Sequence, residues 1–421
     1  MFKNIAYRLL RRSEKYTKTD MVYLAKGGFW LTFDQGIAAI LAFLMSIAFA
    51  NLLPKELYGD YKYILSVAAL ISIFTLPGIN TAVTQAMAKG EKISLKDLTL
   101  SKIRYGLIAS LISIVMSIYY LLVNKNDFAI IFLIVAILVP LTEGLTLYAA
   151  TLNGKQLFKK IATRNSIIKI IHSLLIFFAL LISKNIIIII IVYFVTLLIL
   201  RYIVSWLTTK EIPDDKIKNE PVKKYGLSLT VAESVNTLSA QIDKLLVYLY
   251  LGPVQLAIYF MAVTPVSQVK QIVKNIVPLS LPKLSQRSAQ ELDKTLTSKL
   301  VLTAALGSIL TVIYIILAPF FFKYFVPQYI SSTPFSIMFS VMILLQSVSS
   351  VLASLLRSQK MIDIIQKNTW LQNISLIILM LYLGYNYGIS GVILSKLISM
   401  LLSIIFRFIL WKKTISKKIV A

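Results

Sequence analysis

Apolar residues fall in blocks of roughly 20, the length an α-helix needs to cross about 30 Å of hydrocarbon. Short charged breaks separate the blocks. They predict membrane-spanning helices over 28–50, 60–84, 103–123, 128–152, 161–182, 185–207, 225–251, 254–281, 299–322, 330–356, 362–383 and 389–411. Ten-residue segments of alternating polarity, the mark of a membrane β-barrel, are absent. The fold class expected is therefore all-α: a polytopic membrane protein with 12 transmembrane helices. The largest break, around 208–224, carries Glu211, Pro213, Asp214, Asp215 and several lysines.

Composition agrees with the pattern. Apolar residues make up 57% of the 421 residues, and the mean hydropathy is +0.78, well above a soluble chain. A net charge of +26 raises the question of a nucleic-acid partner. The basic residues are spread in short clusters between apolar blocks instead of gathered on one polar domain, so no nucleic acid is expected. Their distribution gives orientation instead. Thirty-two lie on one side of the predicted membrane, in the N-terminal stretch, in alternate breaks and in the tail. The opposite breaks hold only Lys55, Lys125, Lys184 and Lys323. A wrong helix count would scramble that asymmetry, so it supports twelve spans with both termini in the cytoplasm and a location in the cell inner membrane. Residues 1–20 are too charged for a signal peptide; Phe2, Ile5 and Leu9 with their basic neighbours read as a cytoplasmic amphipathic segment on the membrane surface.

Catalytic chemistry finds little support. Cysteine is absent and there is one histidine, so thiolate and His-rich metal sites are excluded. No phosphate-cradling Gly-x-x-x-x-Gly-Lys-Ser/Thr loop exists. No soluble stretch is long enough for a catalytic fold. Neither an enzyme nor a cofactor is expected.

An internal repeat links the two halves. Leu53-Pro54-Lys55-Glu56-Leu57-Tyr58-Gly59-Asp60-Tyr61 and, 198 residues on, Leu251-Gly252-Pro253-Val254-Gln255-Leu256-Ala257-Ile258-Tyr259 are both tight outer turns with a tyrosine entering the next span. Six helices per half give a parallel repeat. The first turn, with Ala82-Val83-Thr84, resembles the polysaccharide (O-antigen) flippases of the multidrug/oligosaccharidyl-lipid/polysaccharide exporter superfamily. So do Leu152-Asn153-Gly154, Gln241-Ile242-Asp243-Lys244, the second turn and Leu281-Pro282-Lys283-Leu284-Ser285. One departure is Pro54, where the family usually has glycine; the second copy keeps Gly252. The resemblance implies two six-helix lobes around a central cavity. These are an N-lobe over 21–215 and a C-lobe over 216–411, with a basic cytoplasmic tail over 412–421. It also implies alternating access, with an undecaprenyl-diphosphate-linked oligosaccharide as cargo, membrane lipids around it, and the polysaccharide polymerase machinery as a further partner.

Ionisable side chains within spans are costly against lipid and so tend to face the bundle interior or water. Glu233, Asn236, Gln241 and Lys244 recur at helical spacing on one face of 225–251, and Lys270 and Lys274 share a face of 254–281. With Lys396 these residues form the expected cationic substrate site, able to offset a diphosphate. Asp34, Glu143, Glu233 and Asp243 are candidates for proton or ion coupling or for counter-charge. The bland alternative for all of them is structural ion pairing or snorkelling to the headgroups. Arg201 and Arg407, close to the inner surface, read as snorkelling, and His172 as a hydrogen-bonded packing residue. Other readings are a cation-coupled multidrug exporter, a lipid-linked peptidoglycan precursor flippase and a membrane polysaccharide polymerase. Lysines disfavour the exporter, and outer breaks no longer than about a dozen residues disfavour the polymerase.

Freedom from cysteine makes the orientation directly testable. Single thiols at Lys125→Cys and Lys184→Cys should react with an impermeant reagent on intact cells. Lys155→Cys should react only after permeabilisation; the reverse pattern would invert the topology.

Overall fold

The computed structural model describes residues 21–212, 219–276, 284 and 288–420. The amphipathic segment over 1–20 and most of the Leu281–Ser285 motif lie outside them. The described residues form helices and short connections without a strand.

The chain runs through α1 (Met21–Leu52), α2 (Lys55–Ile71), a 3-10 turn (Ser72–Thr75), α3 (Gly78–Ala88), α4 (Leu95–Leu122), α5 (Asn126–Gly144), α6 (Leu147–Gly154), α7 (Phe158–Ile182) and α8 (Ile186–Glu211). It continues through α9 (Glu220–Leu251), α10 (Pro253–Ile276), α11 (Ala289–Lys294), α12 (Leu296–Phe325), a second 3-10 turn (Pro327–Ser332), α13 (Thr333–Ser358) and α14 (Ile362–Val420). Nine helices among the described residues are long and apolar enough to cross a bilayer. The last is a 54-residue stretch, Ile362–Ile415, broken at Gly388, where φ is +56°. Each arm is long enough for a span of its own at 1.5 Å per residue. Helices α9 and α10 fall outside the nine. They are also the helices to which the sequence assigns a line of charged and amide side chains.

Start and stop signals follow local chemistry. Ser94 caps α4 by accepting from Asp97 N at 3.2 Å, and Asn185 caps α8 by accepting from Ile187 N at 2.8 Å. The expected span over 60–84 is two helices. Leu76, at φ +55°, and Pro77, which cannot donate a backbone hydrogen bond, end the first and restart the chain as α3. The two outer turns of the repeat differ in backbone. Gly252 sits at φ +84°, a conformation that favours glycine, whereas no residue from 53 to 59 has a positive φ. Proline at 54 is therefore compatible with the first turn.

The described chain divides into two compact units. Unit 1 comprises the described residues of Met1–Leu53 and Asp60–Gln241, and unit 2 comprises Pro54–Gly59 with those of Ile242–Ala421. In unit 1, α4 lies along α5. Small residues let their backbones approach: a side chain at Gly106 would meet Pro140, Ser110 Oγ donates to Ala136 O at 2.6 Å, and Ser117 Oγ donates to Ala129 O at 2.7 Å. Such contacts hold helices together where lipid supplies no hydrophobic driving force. Helix α9 is seated on the α2–α3 break by the same means. Gly78 N donates to Thr230 Oγ1 at 3.1 Å, and a Cβ on Gly78 would collide with the backbone of Gly226 and Thr230. In unit 2, α13 forms the centre, packed against α10, α12 and α14. It is 72% buried over its apolar window, against 11% for α12, which presents its leucines, isoleucines and phenylalanines outward. An apolar surface of that extent is stable in lipid and not in water.

The Gly78 contact yields a stability prediction. Gly78→Val forces backbone apart at a close-packed crossing and should destabilise by about 1–3 kcal/mol, read as a lower thermal unfolding midpoint of the purified protein. An unchanged midpoint would mean that α9 does not pack there.

Candidate functional site

Membrane-embedded charges collect in two places in unit 1. On α1, Asp34 is buried; its Oδ1 accepts from Lys169 Nζ on α7 at 2.7 Å and from Ser166 Oγ at 2.9 Å. The second set surrounds the α2–α3 break. Arg201 on α8 donates Nη1 to Glu143 Oε1 at 2.8 Å and to the Thr142 carbonyl at 3.0 Å. Lys102 is fully buried and donates to Asn80 Oδ1 and Thr146 Oγ1, both at 2.8 Å. Thr81 Oγ1 donates to Glu233 Oε1 at 2.9 Å. His172 Nδ1 lies 2.7 Å from Thr196 Oγ1, with its ring edge-on to Tyr193, as a packing residue would. A cavity of about 160 Å³ opens beside the Arg201–Glu143 pair, walled by Ala68, Ala69 and Ser72.

Unit 2 handles charge differently. Asp243, near the end of α9, is 2% exposed and forms an ion pair with Lys396 on α14. Tyr259 OH donates to the same Oδ2 at 2.6 Å, while Oδ1 has no hydrogen-bond partner among the described residues. The Lys396 ammonium lies over the rings of Tyr259 and Phe339, at 5.4 and 5.7 Å from their centroids. Lys270 faces Phe339 as well, at 5.8 Å. Beyond these rings is a cavity of about 430 Å³ lined by Lys270, Lys274, Arg357 and Arg407 with Gln346, Gln372 and a run of α13 serines. Among the described residues no carboxylate lines it. Arg407 Nη1 donates to Ser349 Oγ at 2.8 Å and to the Ser349 carbonyl at 3.3 Å. Lys270, Lys274, Arg357 and Arg407 have no ion pair with an acid among the described residues. Four cations without an ion pair among the described residues thus surround a polar cavity, where water or a ligand must solvate them.

The sequence-derived candidates are thus distributed over several places. Lys270 and Lys274 line the basic cavity. Lys396 is held by Asp243 beside it. Lys244, half-buried, belongs to unit 2, while Asn236 and Gln241 on the same helix belong to unit 1 with Glu233. Asp34 and Glu143 are each paired with a base of unit 1. Arg201 and Arg407 are corrected. Neither snorkels; both turn into the protein onto side chains and carbonyls of the neighbouring helix. Arg357 and Lys102, which lie just outside the spans expected over 330–356 and 103–123, are not among the sequence-derived candidates. Lys102 sits in Ser101-Lys102 within an apolar-spaced stretch, and nothing local marks it as buried.

Comparison with known proteins places this arrangement. The sequence profile of the family described as polysaccharide biosynthesis protein matches residues 24–286. None of the curated proteins matches in sequence. Among solved structures the chain is similar to the lipid II flippase MurJ in an inward closed conformation, with TM-score 0.68 and 15% identity over 90% of this chain and 87% of that one. It is similar to an inward-facing multidrug resistance MATE family transporter of the MOP superfamily, with TM-score 0.57 and 11% identity over 90% and 94%. A MOP superfamily transporter from Pyrococcus furiosus gives TM-score 0.55 and 12% identity over 94% and 95%. At these identities the likeness is one of fold: an all-helical, multi-pass transporter fold.

The buried pair in unit 2 is open to a charge-deletion test. Asp243→Asn leaves Lys396 without its counter-charge and should cost about 3–5 kcal/mol, seen as a lower unfolding midpoint. Adding Lys396→Met should recover most of that loss; a double variant as unstable as the single would show that the pair does not carry the effect.

Proposed function

Because the chain belongs to the polysaccharide biosynthesis protein family, we propose that it is a flippase. Its cargo is an undecaprenyl-diphosphate-linked oligosaccharide, the repeat unit of O-antigen or another surface polysaccharide. It moves this cargo across the cytoplasmic membrane by alternating access of an N-lobe (21–215) and a C-lobe (216–411), with both termini in the cytoplasm. The observation that carries the reading is the acid-free basic cavity of unit 2.

The physical argument concerns the headgroup. A diphosphate entering hydrocarbon unaided loses its hydration without compensation, a prohibitive cost. Guanidinium and ammonium groups replace that hydration with charge-assisted hydrogen bonds. Lys270 and Arg407, half-buried, supply such groups from inside the cavity, and the more exposed Lys274 and Arg357 supply them at its mouth. Gln346, Gln372 and the α13 serines offer neutral donors and acceptors suited to sugar hydroxyls. Lys244, Asn236 and Gln241 on α9 are further polar groups for the cargo. Asp34, Glu143, Glu233 and Asp243 serve as counter-charges, and exchange of their partners during the cycle gives a route to proton or ion coupling.

A cavity without a carboxylate disfavours the cation-coupled multidrug exporter, whose cationic cargo it would repel. A lipid-linked peptidoglycan precursor shares the diphosphate chemistry and is the nearer alternative; the fold likeness to a lipid II flippase favours keeping it in view. Sugar recognition separates the two.

Deletion of the gene and complementation provide the test. Lys270→Ala combined with Lys244→Ala should abolish surface polysaccharide while the protein still inserts at normal abundance, as read by immunoblot of membranes. Normal surface polysaccharide in that strain would remove the cationic cavity from the transport path. A peptidoglycan defect in place of a polysaccharide defect would select the alternative cargo.

A further inference from the structure

The two cavities share a layout. In unit 1, Arg201 on α8 reaches back 58 residues to Glu143 on α5. In unit 2, Arg407 on α14 reaches back 58 residues to Ser349 on α13. Both members are offset by the same 206 residues, from 201 to 407 and from 143 to 349. In each copy the guanidinium uses Nη1 to hold both a side-chain oxygen and a main-chain carbonyl of the facing helix. The third wall corresponds too: α2 and its 3-10 turn in unit 1, α10 in unit 2.

The copies have diverged in charge at two walls. Where unit 1 has Glu143, unit 2 has Ser349; where unit 1 has Ala68, Ala69 and Ser72, unit 2 has Lys270 and Lys274. The unit 1 copy is closed on itself, its arginine neutralised by a carboxylate at 2.8 Å in a space of about 160 Å³. The unit 2 copy holds its arginine with a hydroxyl, which orients the guanidinium without cancelling its charge, in a space of about 430 Å³.

We infer that the unit 2 copy is the diphosphate-binding site of the transporter, that the unit 1 copy takes no anion, and that the residue at position 349 sets this difference. Ser349 fixes the direction of Arg407, with Asn368, turned so that both its groups are satisfied, bracing the guanidinium at 2.8 Å. With Nη1 on Ser349 and Nη2 and Nε on Asn368, Arg407 keeps one free N–H and its full charge, and it lines the cavity together with Lys270. A carboxylate at 349 would close the pair as Glu143 does in unit 1 and remove the strongest planar donor from the site. The assignment rests on the flippase reading for its cargo, but the anion site can be tested without it.

The probe is inorganic pyrophosphate, titrated calorimetrically against the purified full chain in lipid nanodiscs. Ser349→Glu should weaken binding at least tenfold, while Ser349→Gln, of the same size without the charge, should stay within about threefold of the native protein. Inorganic phosphate should bind more weakly than pyrophosphate, since four cations can meet two phosphate groups. Equal pyrophosphate affinity in native and Ser349→Glu proteins, or none in the native protein, would overturn the site. Phosphate and pyrophosphate binding equally would assign it to single-phosphate lipid headgroups and overturn the diphosphate assignment. Should Ser349→Glu fail to fold, Arg407→Gln takes its place, with the same loss expected and retained affinity counting against the proposal. The cargo is read separately, from surface polysaccharide in complemented cells. Pyrophosphate binding without complementation would leave the site standing and remove the cargo.

Discussion

A charge inside a bilayer must be met by a partner, by water or by a ligand, because hydrocarbon offers nothing in return for lost hydration. This requirement orders the interior of both units. Asp34 meets Lys169, Glu143 meets Arg201, and Asp243 meets Lys396 and the Tyr259 hydroxyl. Lys102, with no acid against it, takes two neutral acceptors. Once these pairs are drawn, four cations without an ion pair among the described residues gather at one cavity, bounded by α10, α13 and α14. The functional reading follows from that remainder rather than from the total of +26.

Satisfying these charges requires close helices, and small residues provide them. Gly106 and the serines of α4 draw in α5, which carries the Glu143 that meets Arg201 on α8. Gly307 does the same between α12 and α13 in unit 2, where an added Cβ would press on Ser347 at 2.8 Å. The many serines of α13 bond to their own helix, Ser340 to Ile337 O and Ser347 to Ile343 O. Of the serines that line the cavity, Ser349 accepts from Arg407 and Ser350 from Gln346 Nε2 at 2.9 Å.

A similar arrangement serves both units. An arginine reaches back 58 residues in each unit, from α8 to α5 and from α14 to α13. Changing the facing residue from a carboxylate to a hydroxyl turns a structural ion pair into an open cation. The outer turns of the repeat show similar freedom: Gly252 is required by its positive φ, while Pro54 stands in a turn that places no such demand.

The amino-acid sequence by itself determined the class of structure. Blocks of apolar residues set where helices cross, since length against hydrocarbon thickness is a local property, and lysine and arginine placement carried the expected orientation. Similar turns near Tyr61 and Tyr259 raised the expectation of a repeat, and the charged face of α9 was visible from helical spacing alone. Which charges cancel was decided only by tertiary structure. Asp34 and Lys169 are 135 residues apart and Asp243 and Lys396 are 153, and no periodicity encodes a partner on a distant helix. Lys396, counted among the free cations by its sequence position, is held by Asp243; Arg407, counted as a surface anchor, points into the cavity. The difference lies in helix rotation about its axis, set by the small-residue contacts of neighbouring helices, and that angle exists only once the helices have packed.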